Sequence, residues 1–132
     1  MLYQGGPVQQ ANFINYFQSI AKTPLMVCID AEWGLGMRQD SVIPLNHQMM
    51  LGAVNDTSII SAYGKLVGEQ CKREGIKVNF APVVDINSNP DNPVINDRSF
   101  GENTYKFAEY GVAYMTAMKL RYVVQCAKVF SW

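Results

Sequence analysis

Residues 77–101 read KVNFAPVVDINSNPDNPVINDRSFG, and this stretch decides the fold. The apolar run 78–84 reads as a buried strand. It stops at Asp85 and gives way to a long loop crowded with Asn, Asp and Pro. The loop ends in Asp97-Arg98-Ser99-Phe100-Gly101, after which a helix begins. A buried strand that hands an acid and an arginine to a loop at its C-terminal end is how parallel α/β proteins build polar sites. Function is therefore sought where strands end.

Working outward, the same pattern recurs on both sides. Upstream, Pro24 precedes Leu25-Met26-Val27-Cys28-Ile29, a continuous apolar run too short for a helix. It is expected to be a strand buried on both faces, followed by the polar segment 30–41. Downstream, Val123-Val124-Gln125-Cys126-Ala127 is expected to be a last strand with Lys128 at its end. Residues 1–4, ending at Gly5-Gly6, suit the tail of a first strand.

Three helices separate these strands. Pro7 opens the first, over 8–20, with Ala11, Ile14, Phe17 and Ile20 at near-helical spacing. The second covers 56–74, capped by Asp56 or Thr57 and stopped by Gly75. Ile59, Ile60, Tyr63, Leu66, Val67, Gln70 and Cys71 form its expected inward stripe. The third is capped by Asn103 or Thr104, and its face includes Phe107, Ala108, Gly111, Val112, Met115 and Met118.

The order β-α-β-α-β-α-β implies right-handed crossovers and a parallel sheet. The fold class is α/β, either doubly wound or part of a (β/α) barrel. A barrel of eight units takes about 250 residues. With 132 residues and about four strands, this chain is expected to be a piece of a larger fold.

Composition narrows the function. Apolar residues make up 48% and charged residues 17%, which is globular and not disordered. Lys+Arg and Asp+Glu are equal at 11 each, so no basic field exists for nucleic acid or an anionic membrane. A partner must be recognised by a local site. No apolar run approaches the roughly 18 residues of a membrane span. The start MLYQGGPVQQ lacks the basic opening and apolar core of a signal peptide, and the compartment stays open. Cys28, Cys71 and Cys126 show no CxxC spacing and are expected to be buried free thiols, with no metal or disulfide role.

Three groups of residues could carry chemistry. In Asp30-Ala-Glu32-Trp33-Gly34-Leu-Gly36-Met-Arg38, an acid, an aromatic face and an arginine fall within nine residues. Carboxylate and guanidinium groups take sugar hydroxyls in pairs, and an indole covers the apolar face of a pyranose. The bland alternative is a loop salt bridge between Asp30 and Arg38 with Trp33 as a packing residue. Gly34-Leu-Gly36 resembles the start of a dinucleotide fingerprint, but Gln39 stands where the third glycine should be. The lone His47 has no neighbouring acid or thiol set for a metal and reads as a surface or helix-start residue.

The second group is the loop from Asp85 to Arg98. Asn87, Asn89, Asn92 and Asn96 suit turns that bond their own backbone, and Asp97 suits capping or orienting its neighbours. Arg98, a strong donor just before a helix, is the candidate for ligand contact. The third is Lys128, which points to the same rim as Asp30 and Asp85 if the strands are parallel; a plain solvent-seeking lysine is the alternative.

Together these segments resemble the N-terminal domain of glycoside hydrolase family 3, in the branch of bacterial β-N-acetylhexosaminidases. IDAEWGLGMR is similar to the family's Asp-x-Glu-Gly-Gly element with its later arginine, with Trp33 in place of the first glycine of the pair. NFAPVVDINSNPDNPVINDRSFG is similar to the branch's Phe-Ala-Pro-Val-x-Asp and Asp-Arg-Ser-Phe-Gly elements. The resemblance runs from Gln4 to Lys128 and selects a partial (β/α)8 barrel over the doubly wound sheet.

By that resemblance Asp30, Arg38, Arg98 and Lys128 would bind the hydroxyls of the sugar in the −1 subsite. Asp85, Trp33 and Asp97 would organise the site. Such enzymes are retaining, use a covalent glycosyl intermediate and need no cofactor. The small-molecule partner would be an N-acetylhexosaminide. The resemblance breaks at Lys128-Val129-Phe130-Ser131-Trp132, where the family continues Lys-His-Phe-Pro-Gly-His-Gly. Val129 replaces a sugar-binding His. The acid/base loop and the nucleophilic Asp are expected to be missing from this chain, so no catalytic residue is assigned. The chain alone is then expected to be inactive, and open strand edges to favour self-association. The alternatives are a non-catalytic carbohydrate-binding or vestigial module and a nucleotide-binding α/β protein.

Overall fold

A computed structural model of the chain describes residues 4–129. In chain order it contains helix α1 (Pro7–Ile20), strand β1 (Cys28–Ile29), a short helix α2 (Gln48–Gly52) and the long helix α3 (Thr57–Arg73). Strand β2 (Val78–Asn79), helix α4 (Thr104–Lys119) and strand β3 (Val124–Gln125) complete it, with 3₁₀ turns at Leu35–Met37 and Asn96–Arg98. The strands are parallel in the order β1-β2-β3, with Cys28 opposite Val78 and Val78 opposite Val124. An isolated parallel bridge between Val83 and Lys128 carries the β2–β3 alignment further. The expected α/β architecture is present, with three strands among the described residues in place of about four. Residues 1–3 of the expected first strand lie outside the described residues, and Gln4 is in a bend.

Beyond these short ladders, two buried side-chain amides stand in for a strand partner. Asn79 Oδ1 accepts from the Ala31 N–H at 2.9 Å, and its Nδ2 donates to the Ala31 carbonyl at 3.1 Å. Gln48 does the same for Val83: its Nε2 donates to the carbonyl at 2.9 Å and its Oε1 accepts from the N–H at 3.0 Å. A peptide group buried without such a partner would cost about 1–3 kcal/mol. Asn79 therefore fixes the start of the loop that leaves β1. Gln48 fixes the extension of β2 toward Asp85, and it is the reason the short α2, which the sequence reading did not foresee, packs where it does.

Local signals place the helices. Asp56 caps α3 by accepting from the Ser58 N–H, and Asn103 caps α4 by accepting from Tyr105 and Lys106. Gly75, at φ +74°, ends α3 in a conformation that favours glycine. Helices α3 and α4 pack against each other, with Ile60, Tyr63, Gly64, Val67, Gly68 and Cys71 buried on α3 and Tyr110, Gly111, Tyr114, Ala117 and Met118 buried on α4. A Cβ on Gly64 would stand 2.5 Å from the Tyr114 carbonyl oxygen, so the helices cross at backbone distance.

That close approach corrects the expected stripes. The glycine face of α3 turns inward, leaving Ile59 and Leu66 exposed, and on α4 Tyr110 and Tyr114 are buried while Val112 is not. On α1 only Gln10 and Ile14 are buried, whereas Phe17 and Ile20 are exposed. Leu25 and Met26 are exposed as well, against the expectation of a strand buried on both faces; both precede β1, whose one strand partner among the described residues is β2. The buried-thiol expectation fails in part as well. Cys71 is buried in the helix pair and Cys28 is half-buried, but Cys126, beside β3, is exposed.

Candidate functional site

The loop after β1 folds back on itself. Gly34 takes φ +78°, and a Cβ on Gly36 would stand 2.5 Å from the Pro44 nitrogen, so both glycines are required by the turn. The return brings Arg38 to Asp30: Nη2 lies 2.8 Å from Oδ2, and Nε donates to the Asp30 carbonyl at 3.0 Å. The loop after β2 is held by its own asparagines. Asn89 Oδ1 accepts from the Asp91 N–H, and Asn92 Oδ1 accepts from those of Val94 and Ile95. The loop ends in the 3₁₀ turn Asn96–Arg98, which aims Arg98 back across the strand ends.

Five charged side chains meet there. Lys128, just past β3, puts Nζ 2.6 Å from Asp30 Oδ1 and also bonds Glu32 Oε1. Arg98 grips Glu32 with Nη2 to Oε1 at 2.7 Å and Nε to Oε2 at 3.0 Å, and its Nη1 donates to the Val94 carbonyl at 2.9 Å. Such a two-pronged pair fixes direction as well as charge. Asp85 lies at the end of the β2 extension, where its carbonyl accepts from Ser99 Oγ at 2.5 Å. The hydrogen bonds to Glu32 hold the Arg98 guanidinium above its ordinary pKa against the opposing effect of burial. The charges of Glu32, Asp30 and Asp85 add to the same effect.

The structure thus brings Asp30, Arg38, Arg98 and Lys128 into one cluster, and the link between them is Glu32. Its side chain is only 1% exposed and holds two cations. Glu32 lies within the motif IDAEWGLGMR, and nothing in its position there marks it as the link. The signal was one of charge: three cations aimed at one rim outnumber the carboxylates of Asp30 and Asp85 expected there, and Glu32 is the next acid in the motif. Asp97 turns away from the cluster. Its Oδ2 lies 2.7 Å from His47 Nδ1, and the His47 ring stacks on Trp33 with centroids 4.1 Å apart. His47 stands at the N-terminal cap position of α2, the helix-start role its sequence position suggested. Among the described residues, no three His, Cys, Asp or Glu side chains gather as a metal site. No helix among them is long and apolar enough to cross a membrane.

Parallel strands that send acids and cations from their carboxyl ends into one cluster fit a unit of a (β/α) barrel with a polar rim. Comparison with known proteins makes this specific. Residues 7–131 match the glycosyl hydrolase family 3 N terminal domain, and the chain belongs to that family. It is similar to beta-hexosaminidase A of Pseudoalteromonas piscicida, 38% identical over 122 residues that cover 86% of this chain and 20% of that protein. It is also similar to beta-hexosaminidase LpqI of Mycobacterium tuberculosis, 32% identical over 111 residues, 81% of this chain and 28% of that one.

Among solved structures it resembles a glycoside hydrolase family 3 beta-N-acetylglucosaminidase from Paenibacillus sp. str. FPU-7. The TM-score is 0.81 at 32% identity, over 96% of this chain and 25% of that one. The beta-glucoside phosphorylase BglX superposes with a TM-score of 0.90 at 20% identity, over 98% of this chain and 24% of that one, a likeness of fold alone. The partial barrel expected from the sequence is the fold these comparisons support. The chain spans less than a third of the length of each of these four proteins.

Proposed function

We propose that this chain is the N-terminal part of a barrel domain of a retaining glycoside hydrolase acting on terminal β-linked N-acetylhexosamine. On this reading it supplies part of the sugar-binding subsite. The observation that carries the proposal is the cluster of Asp30, Arg38, Arg98 and Lys128 around Glu32, at the carboxyl ends of neighbouring parallel strands. A pyranose presents vicinal hydroxyls that both donate and accept, and such groups are matched by carboxylate–cation pairs. Asp30 and Arg38 would take one pair of hydroxyls, and Arg98 and Lys128 others. Asp85 would order the floor through its bond to Ser99 and its field on Arg98. Relatives named as hexosaminidases support the choice of an N-acetylated sugar.

The 132 residues alone carry no assigned nucleophile or proton donor, and Val129 stands where the family's sugar-binding His falls. Acid–base help alone is worth roughly 10²–10⁴-fold, so hydrolysis of a p-nitrophenyl N-acetylglucosaminide by this polypeptide should be negligible. The direct test is calorimetric titration of the chain with N-acetylglucosamine, glucose, ATP and NAD. Binding of the N-acetylated sugar, lost in Arg98→Ala, is expected. Binding of a nucleotide in preference to it would overturn the proposal.

Self-association is part of the same reading. Among the described residues β1 and β3 are the outer strands of the sheet, Val124 in β3 and Leu25 and Met26 just before β1 are exposed, and unpaired parallel edges accept further strands. Light scattering is expected to show species larger than the 14.8 kDa chain. A monodisperse monomer would count against this.

A further inference from the structure

The turn Asn96–Arg98 holds two successive residues of the β1 loop at once. Arg98 grips the carboxylate of Glu32 directly. Its neighbour Asp97 reaches Trp33, the next residue of that loop, through an intermediary: it bonds His47 Nδ1, and the His47 ring lies on the indole with planes 23° apart. Asn96, at φ +38°, sets the turn that splits these directions. Residues 32 and 33 are therefore clamped by residues 98 and 97, with His47 as the coupling piece from a third segment of chain.

We propose that His47 is a positioning residue: locked by Asp97, it fixes the plane of Trp33, so that the indole's other face serves as a rigid wall of the sugar pocket. This rests on the sugar-binding reading above. An indole on a glycine-bearing loop has two free torsions. A flat aromatic neighbour removes them in advance, which favours a ligand that needs the ring in one orientation. Asp97, pointing away from the charged cluster, acquires a purpose: it orients the imidazole and leaves the cations to Glu32 and Asp30.

Trp33 and Trp132 are the two tryptophans, so a Trp132→Phe background isolates the indole in question. In it, His47→Ala removes stack and hydrogen bond, His47→Phe keeps the stack, and Asp97→Ala removes the lock. The readouts are acrylamide quenching of Trp33 emission and calorimetric affinity for N-acetylglucosamine. For His47→Ala we expect quenching to rise about twofold and affinity to fall about 3- to 10-fold, the worth of one aromatic pair. His47→Phe keeps the stack but, like Asp97→Ala, loses the bond between residues 47 and 97, so both variants should fall between the parent and His47→Ala. His47 and Asp97 are partly exposed, so thermal melts should stay close to the parent's. If His47→Ala does not fold, the Phe and Asp97 variants still decide: either one matching the parent in both quenching and affinity overturns the lock. A parent that binds the sugar while His47→Ala binds it equally well overturns the inference alone. A parent that binds no sugar overturns both it and the reading beneath it.

Discussion

Glu32→Gln is the sharpest probe of the cluster, because it removes one charge and almost no volume. In the native chain three cations, Arg38, Arg98 and Lys128, surround the carboxylates of Asp30 and Glu32. After the substitution they face one carboxylate among these partners, and the new amide turns N–H groups toward a guanidinium or an ammonium. The side chains of Arg98 and Lys128 are 22% and 17% exposed, so water cannot replace the lost partner fully. Removing one member of a buried pair costs about 3–5 kcal/mol. Lys128 keeps Asp30 at 2.6 Å, and Arg98 keeps the Val94 carbonyl at 2.9 Å. These remaining bonds set the expectation at the lower end, about 3 kcal/mol.

For a domain of this size that loss lowers the melting temperature by about 10 °C. Urea unfolding of parent and variant, at about 0.05 M and about 0.5 M salt, measures it directly. A pair sheltered from solvent is screened little, so the difference should persist at the higher salt. A loss below about 1 kcal/mol, the range of solvated pairs, or one that collapses with salt, would put Glu32 in water and refute the buried-anchor reasoning.

Gly64→Ala should destabilise by about 1–3 kcal/mol despite alanine's better helix propensity, because the added methyl meets the Tyr114 carbonyl at 2.5 Å; a raised melting temperature would mean the helices do not cross so closely. Burial holds the Glu74 carboxyl above its ordinary value of 4.5, partly offset by the Gln39 hydrogen bond. The native state then binds more protons than the unfolded chain between 4.5 and the raised value, so stability falls as pH rises through that window. Melts of Glu74→Gln should show a flatter slope there and a gain over the parent at neutral pH that fades in acid; identical profiles would contradict the shift. Burial first, and the Glu74 charge second, push the Cys71 thiol up to about 12, whereas Cys126 is exposed. A thiol reagent should modify Cys126 in the native chain and reach Cys71 only in denaturant, and mass mapping of the adducts decides it.

The legible parts of the chain were those governed by local chemistry. Asp56, Gly75 and Asn103 set helix ends through bonds and backbone freedom within a few residues of themselves, and the structure has the ends where those signals fall. The convergence of Asp30, Arg38, Arg98 and Lys128 was legible because parallel strands share one carboxyl rim. What could not be read depends on partners far along the chain. Gln48 and Asn79 look like ordinary polar residues until they are seen facing the peptide groups of Val83 and Ala31, 35 and 48 residues away. Ile60, Tyr63, Val67, Cys71, Gly111 and Met118 face inward as expected, but Ile59 and Leu66 do not; hydrophobicity ranks Ile59 above Gly64. A backbone crossing selects the smaller residue. The exposed Cys126, Leu25 and Met26 lie on or beside edge strands, and apolar runs do not announce which strand is the edge.

The cluster divides its charges by burial, and the division fits a site that must be stable when empty and yielding when filled. Glu32 is closed off from solvent and held by a two-pronged arginine, so displacing it would strand charge in a poor solvent. Asp30 and Arg38 keep 15% and 25% of their side chains open, and their side chains meet at 2.8 Å. A hydroxyl entering there can accept from the guanidinium and donate to the carboxylate, replacing one charge-assisted bond with two. On the proposed reading Glu32 preorganises Arg98 and Lys128, which meet the ligand together with Asp30 and Arg38. That is why the deepest acid of the motif is the one whose loss should be felt first in stability, and only through its cations in binding.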